Sequence, residues 1–188
     1  GIGLETVKVF AENNANIYAF IKKNDPEFLE TCKDLQKKYN SKIKVYSLDL
    51  SNETEIKTKI LKFLQEVEQI HIYVNTVAIL EFGLSEMFTQ ERLKKTFQIN
   101  FFSHILLLQL LVKKMKKNKS SIINFSSSAN LKYPVGTSAY ASSKAAIETY
   151  SKILSKELGR YNIRVNVIQP GMVDTDSMKK THQKEIIL

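Results

Sequence analysis

The passage "SIINFSSSANLKYPVGTSAYASSKAAIETYSKILSKELGRYNIRVNVIQP" (Ser121–Pro170) decides the fold. It opens on an apolar, β-rich run, Ser121–Ser127, and closes on another, Ile163–Pro170. Between them, about Ser138 to Leu158 reads as a helix rich in small residues, with Gly159 as its C-cap. Strand, helix and strand in that order fit parallel strands joined through a helix.

Working outward, the alternation continues. "NIYAFI" (Asn16–Ile21) reads as a strand, and Asp25 before Pro26 supplies an N-cap and a first-turn proline for a helix to about Tyr39. "IKVYSLDL" (Ile43–Leu50) is the next strand, and Ser51 is positioned to cap the helix behind "ETEIKTKILKFLQEV". The strand "IHIYVN" (Ile70–Asn75) and one long helix from about Gln90 to Lys117 lead back to Ser121. Strict β/α alternation with apolar strands predicts an α/β fold: a doubly wound parallel sheet covered by helices on both faces, in a single domain over residues 1–188. Ligands of such sheets bind beyond the carboxyl ends of the strands.

Composition narrows the class. The chain has 188 residues, 43% of them hydrophobic, enough for one sizeable core. The apolar run "FFSHILLLQLLV" (Phe101–Val112) is too short to span a bilayer and reads as a buried helix, so no membrane association is expected. No basic-then-apolar leader opens the sequence, and Cys32 is its one cysteine; together these favour a reducing, cytoplasmic setting. Metal-ligand spacing is absent: His71, His104 and His182 stand far apart, and no metal is expected. The net charge of +9 is spread along the chain and reads as solvated surface rather than a nucleic-acid stripe. "KKMKKNKS" (Lys113–Ser120) complements a helix C-terminus.

Tyr140 and Lys144 carry the chemistry. A second Tyr-x-x-x-Lys pair, Tyr18 with Lys22, shows that the spacing alone means little. Secondary structure separates them, because i and i+4 share a face on a helix and not at a strand end. Ser127 precedes Tyr140 at the end of a predicted strand, where these sheets place their sites. "GIG" (Gly1–Gly3) stands just before the helix "LETVKVFAENN"; alone it is better explained as an ordinary tight turn, but its position ahead of the first helix of a β/α series raises the reading of a pyrophosphate site.

In order, "GIG", Asp49 in "LDL", "VNTVA", Asn100 in "QIN", Ser127, Tyr140 with Lys144, and "PGMVDT" (Pro170–Thr175) resemble the classical short-chain dehydrogenases/reductases over essentially the whole chain, with the 3-oxoacyl-[acyl-carrier-protein] reductases nearest in "IINFSS", "AYASSKAA" and "IRVNVIQPG". The resemblance implies a Rossmann-like fold and hydride exchange between a nicotinamide and a carbonyl or secondary alcohol. It makes Tyr140 the proton donor or acceptor, with Lys144 favouring its phenolate and binding the nicotinamide ribose, and Ser127 holding the substrate oxygen. Asn100 anchors a water chain reaching Lys144. For the cofactor it implies Gly1, Ile2 and Gly3 at the pyrophosphate, Asp49 and Leu50 at the adenine, Asn75 beside the adenine ribose, and Pro170, Gly171, Val173 and Thr175 around the nicotinamide. Where NAD-selective members carry an acidic residue, this chain has Ile21 followed by Lys22 and Lys23, which favours NADP(H) over NAD(H).

Two departures accompany these matches. Thr76, Val77 and Ala78 are larger or less polar than the family's Asn-Ala-Gly and narrow the approach to the ribose. The family's first strand and its C-terminal strand have no counterpart in the sequence, so the chain is expected to be part of a longer protein or to fold poorly alone. The expected substrate is a small-molecule or carrier-bound carbonyl or alcohol, and the expected assembly a homodimer or homotetramer through the two long helices. A non-catalytic relative that kept the fold is the competing expectation, and a nucleic-acid binder the remoter one.

Overall fold

The computed structural model describes residues 1–117 and 119–174. They form two compact units, one holding Gly1–Asp49 and the described residues from Met172, the other Leu50–Gly171.

In the first unit, α1 (Ile2–Glu12), β1 (Ile17–Ile21), α2 (Pro26–Lys38) and β2 (Ile43–Ser47) follow in order. β1 and β2 pair in parallel, from Ile17 opposite Ile43 to Ile21 opposite Ser47. Asp25 caps α2 as expected, its carboxylate accepting from the Phe28 amide at 3.2 Å, with Pro26 at the first helical position where no amide is missed. Val7 and Ala11 of α1, Cys32 of α2 and Ile43 of β2 form the core, with Ile17, Phe28 and Leu35 against it. Cys32 is therefore a small apolar side chain of this core, its thiol pushed up by burial.

The second unit contains α3 (Glu53–Glu66), β3 (Ile72–Asn75), α4 (Gln90–Phe97), α5 (Ser103–Met115), β4 (Ser120–Phe125), the short α6 (Ala129–Lys132), α7 (Ser138–Gly159) and β5 (Ile163–Ile168). β4 is the central strand of a parallel sheet in the order β3-β4-β5. The core joins Leu108 and Met115 of α5, Ile122 of β4, Leu154 and Leu158 of α7, and Ile163 of β5. The expected parallel α/β architecture is thus present, with ladder hydrogen bonds arranged as two sheets rather than one.

Four local expectations are corrected. Asn52, not Ser51, caps α3, because the Asn52 side chain reaches the Glu55 amide at 3.0 Å. The long helix from Gln90 is not continuous: a π-helical turn, Gln98–Phe102, separates α4 from α5 and carries Asn100 into the interior. Gly159 is the last residue of α7 rather than its cap, and the left-handed backbone falls on Asn162, with φ of 57°. The strands stop short of their apolar runs, so Ser127 lies two residues beyond β4 in the chain that leads to α6.

Candidate active site

The site of the second unit is built at the end of β4 and on the first turns of α7. Tyr140 and Lys144 stand one turn apart on α7, so their side chains share a face. Ala139, Ser143 and Ala145 between and around them are small, which lets α7 lie close to its neighbours; Ala139 and Ser143 are fully buried. Lys144 is 4% exposed, and its Nζ donates to the Phe125 carbonyl at the end of β4, at 2.8 Å. The ammonium lies 5.9 Å from the Tyr140 ring centre. Burial disfavours its charge and brings its pKa down to about 8.

The Ser127 hydroxyl lies beside the Tyr140 phenol. Burial pushes the phenol above its ordinary value, and the Ser127 hydroxyl pulls it part of the way back. Lys144, expected to favour the phenolate, is not among the causes of this shift. The reason is geometric: the ammonium points to the Phe125 carbonyl, while the phenol lies in a half-buried position that penalises the phenolate. The Ser127 hydroxyl oxygen also accepts from the Ala129 amide at 3.1 Å, which fixes its rotamer at the start of α6.

Asn100 is a clasp. From the π turn its Nδ2 donates to the Ile79 carbonyl at 2.9 Å and to Ser143 Oγ at 3.0 Å, while its Oδ1 accepts from the Ile79 amide at 2.8 Å. Ser143 in turn donates to the Tyr140 carbonyl at 2.7 Å. Both amide protons of Asn100 are therefore used on protein atoms, leaving one Oδ1 lone pair for a water.

One functional-looking residue, Glu148, escaped the sequence analysis, and His104 entered it only as a histidine without metal-ligand spacing. Glu148 lies one further turn along α7, and its carboxylate accepts from Ser126, Asn130, Gln169 and Lys152. The signal was available, since Tyr140, Lys144 and Glu148 follow at i, i+4 and i+8. His104 is buried at 1% exposure with its Nε2 3.2 Å from the Val77 carbonyl, so the neutral imidazole holds the segment after β3. Burial, and then the Lys144 charge, lower its pKa to about 3. No spacing rule would have found it.

The remaining predicted positions bear on a nucleotide. Asn75 ends β3, buried, with an Oδ1 that has no partner among the described residues. An unsatisfied buried acceptor suits a ligand hydroxyl. Val77 behind it is exposed. Leu50 accepts from the Gln98 side chain through its carbonyl at 3.4 Å. The Pro170 carbonyl accepts from the Ser128 amide at 3.0 Å, and a Cβ at Gly171 would meet open space.

In the first unit, Gly1 is the N-cap of α1, without a side-chain cap, and its carbonyl accepts from the Leu4 and Glu5 amides at 3.0 and 3.2 Å. Ile2 and Gly3 lie inside the helix rather than in a preceding turn. Lys22 and Asp49 meet as an ion pair at 3.1 Å, with 56% and 31% of their side chains exposed. The phosphate and adenine candidates therefore engage each other. Lys23 is exposed, as is Val173 in the chain after β5; Thr175 falls outside the described residues. In the second unit, the orphaned buried Asn75 acceptor fits a ribose hydroxyl.

Comparison with known proteins agrees. The sequence model of the short chain dehydrogenase family matches residues 1–186. The chain belongs to this family, whose members are oxidoreductases acting on CH–OH or C=O groups with a nicotinamide cofactor. It is 34% identical over 180 residues to the 3-oxoacyl-[acyl-carrier-protein] reductase FabG of Chlamydia muridarum, covering 95% of this chain and 72% of that one. With the L-xylulose reductase of Caenorhabditis elegans it shares 31% over 178 residues, 94% of this chain and 69% of the relative. Among solved structures, a Pseudomonas aeruginosa RhlG/NADP active-site complex superposes with a TM-score of 0.85 at 25% identity, over 97% of this chain and 73% of that one. No helix among the described residues is long and apolar enough to cross a membrane.

Proposed function

We propose that this chain is an NADP(H)-dependent reductase of carbonyl compounds in which Tyr140 gives the proton and Ser127 holds the reacting oxygen. The observation that carries the reading is the Ser127 hydroxyl beside the Tyr140 phenol, one helical turn from a buried lysine that donates to the end of β4. A substrate carbonyl oxygen set between the two hydroxyls would accept from both, and the charge that grows on it would be met by two donors already in place. The nicotinamide, when bound, supplies the hydride in reduction and takes it back in oxidation. Tyr140 then loses its proton, and Lys144, protonated below about 8, is the cation that stabilises the phenolate left behind. Asn100 and Ser143 hold the α7 backbone at Tyr140 in register with the segment after β3, and the free lone pair of Asn100 is the place for the relay water.

Gly1, Ile2 and Gly3 would meet the pyrophosphate, Asp49 and Leu50 the adenine, Asn75 a ribose hydroxyl, Lys144 the nicotinamide ribose, and Pro170, Gly171, Val173 and Thr175 the nicotinamide. Lys22 and Lys23, following Ile21 where an acidic residue would reject a 2′-phosphate, support NADP(H) over NAD(H). A relative solved as an NADP complex supports the same choice. In this reading residues 1–188 serve as one nucleotide-binding domain.

For the substrate, exposed Leu131, Tyr133 and Val135 in the segment between Ser127 and Tyr140 offer apolar surface, which favours a 3-oxoacyl thioester, free or carrier-bound, over a sugar. Exposed Phe102 and Ile153, on the π turn and α7, suit a homodimer or homotetramer. A fluorescence titration with NADPH and NADH, followed by NADPH oxidation with acetoacetyl-coenzyme A and with L-xylulose, tests the set. Tighter NADPH binding and turnover of the thioester support it. Equal affinity for the two cofactors removes the NADP assignment, and saturable binding without turnover of any carbonyl favours the non-catalytic alternative, to which Val77 beside Asn75 lends its one specific observation.

A further inference from the structure

Ser127 accepts from the Ala129 amide through its side chain, and the chain around it is held closely. The amides of its neighbours Ser126 and Ser128 donate to the carbonyls of Ile168 and Pro170, at 2.9 and 3.0 Å. The side chains around it converge on Glu148. Its Oε2 accepts from Asn130 Nδ2 at 2.7 Å, from Gln169 Nε2 at 2.5 Å and from Ser126 Oγ at 3.2 Å. Ser126 has one hydroxyl proton to share between that oxygen and the Lys144 carbonyl at 3.0 Å. The other oxygen, Oε1, accepts from Lys152 at 2.6 Å, at the exposed rim.

Three segments thus meet on one oxygen: the end of β4 just before Ser127, α6 just after it, and the end of β5 beside it. The oxygen belongs to α7, two turns beyond Tyr140. A serine that must share a substrate oxygen with Tyr140 needs its distance from α7 fixed, and a small misplacement at such a site is costly to rate. We propose that Glu148 is a positioning residue that sets Ser127 against Tyr140 by tying Ser126, Asn130 and Gln169 to α7. The inference rests on the reading of Ser127 and Tyr140 as the reacting pair, but its geometry concerns this chain's own residues and is testable without turnover.

Glu148→Gln keeps a carbonyl oxygen for the three donors and gives up the contact with Lys152; Glu148→Leu removes the acceptor altogether. The experiment follows the Tyr140 ring-carbon resonance in protein labelled with 13C-tyrosine, assigned by its absence in Tyr140→Phe, with Ser127→Ala marking the position it takes when the serine hydroxyl is gone from beside it. Glu148→Leu is expected to move the resonance most of the way to the Ser127→Ala position, Glu148→Gln to leave it near wild type, and Lys152→Ala to leave it unchanged. Where Glu148→Leu does not melt cooperatively, the double change Asn130→Ala with Gln169→Ala, which spares the carboxylate and removes two donors, carries the same expectation. In turnover, Glu148→Leu should lower kcat roughly 10–100-fold in the wild-type background and little in the Ser127→Ala background. An unmoved resonance in a folded variant, or equal loss in both backgrounds, overturns the inference. A moved resonance in a protein that reduces no carbonyl keeps it and overturns the reading of function instead.

Discussion

Lys144 and Lys22 are the same residue placed in two environments. Lys144, in the second unit, is buried, donates to a backbone carbonyl and has its pKa lowered to about 8. Lys22, in the first, is largely exposed and pairs with Asp49 in an ion pair open to water. A buried cation acts through a field that water does not screen, whereas an exposed pair contributes little to stability and exchanges partners readily. Under the proposed function the difference separates two tasks: the second unit would fix the chemistry, and the first would offer a recognition surface that a ligand re-pairs.

Replacing Lys144 should break that contrast with the largest effect. Lys144→Met is expected to lower turnover by roughly 10²–10⁴-fold. Its stability effect has the opposite sign. The folded pKa of about 8 lies below the ordinary 10.5, so the unfolded chain binds more protons between those values and wild-type stability rises as pH climbs through that window. At pH 7 the buried charge costs about 3 kcal/mol, offset in part by its bond to Phe125. Thermal melts at pH 7 should show the variant more stable than wild type, with the gap closing toward pH 10.5.

His104 sharpens the same point from the acid side. Its folded pKa of about 3 lies below the ordinary 6.5, so its contribution is complete above 6.5 and is lost as pH falls from there toward 3. Denaturant melts across that range should show wild type losing on the order of 4 kcal/mol from this group, and His104→Gln, which keeps a donor for Val77, should flatten that part of the profile.

Lys22→Ala should have the smallest effect. Folding stability should change by less than about 1 kcal/mol, since the pair is exposed. NADPH affinity should fall by roughly tenfold with NADH affinity unchanged, measured by parallel fluorescence titrations. Equal loss for both cofactors would place Lys22 away from the 2′-phosphate.

Much of this was legible in the sequence. The order of strands and helices, the Asp25–Pro26 start of α2, and the placing of Tyr140 with Lys144 on one helix all follow from local patterns of capping, periodicity and turn chemistry. What was not legible depends on contacts distant in sequence. Asn52 outcompetes Ser51 by a single side-chain reach. The π turn at Gln98–Phe102 has no composition of its own; it carries a buried asparagine whose partners, Ile79 and Ser143, lie far along the chain. The upward shift of Tyr140 comes from burial, which spacing does not report, and the Glu148 hub from three donors on three other segments together with Lys152 of its own helix.

The most direct test of the central claim is the rate of NADPH oxidation with acetoacetyl-coenzyme A by wild type and by Tyr140→Phe, with NADPH binding measured on both. The account predicts turnover in wild type, a loss of at least about 10²-fold in the variant, and NADPH affinity within a factor of two or three. A Tyr140→Phe protein that binds NADPH and reduces the thioester as fast as wild type would contradict it.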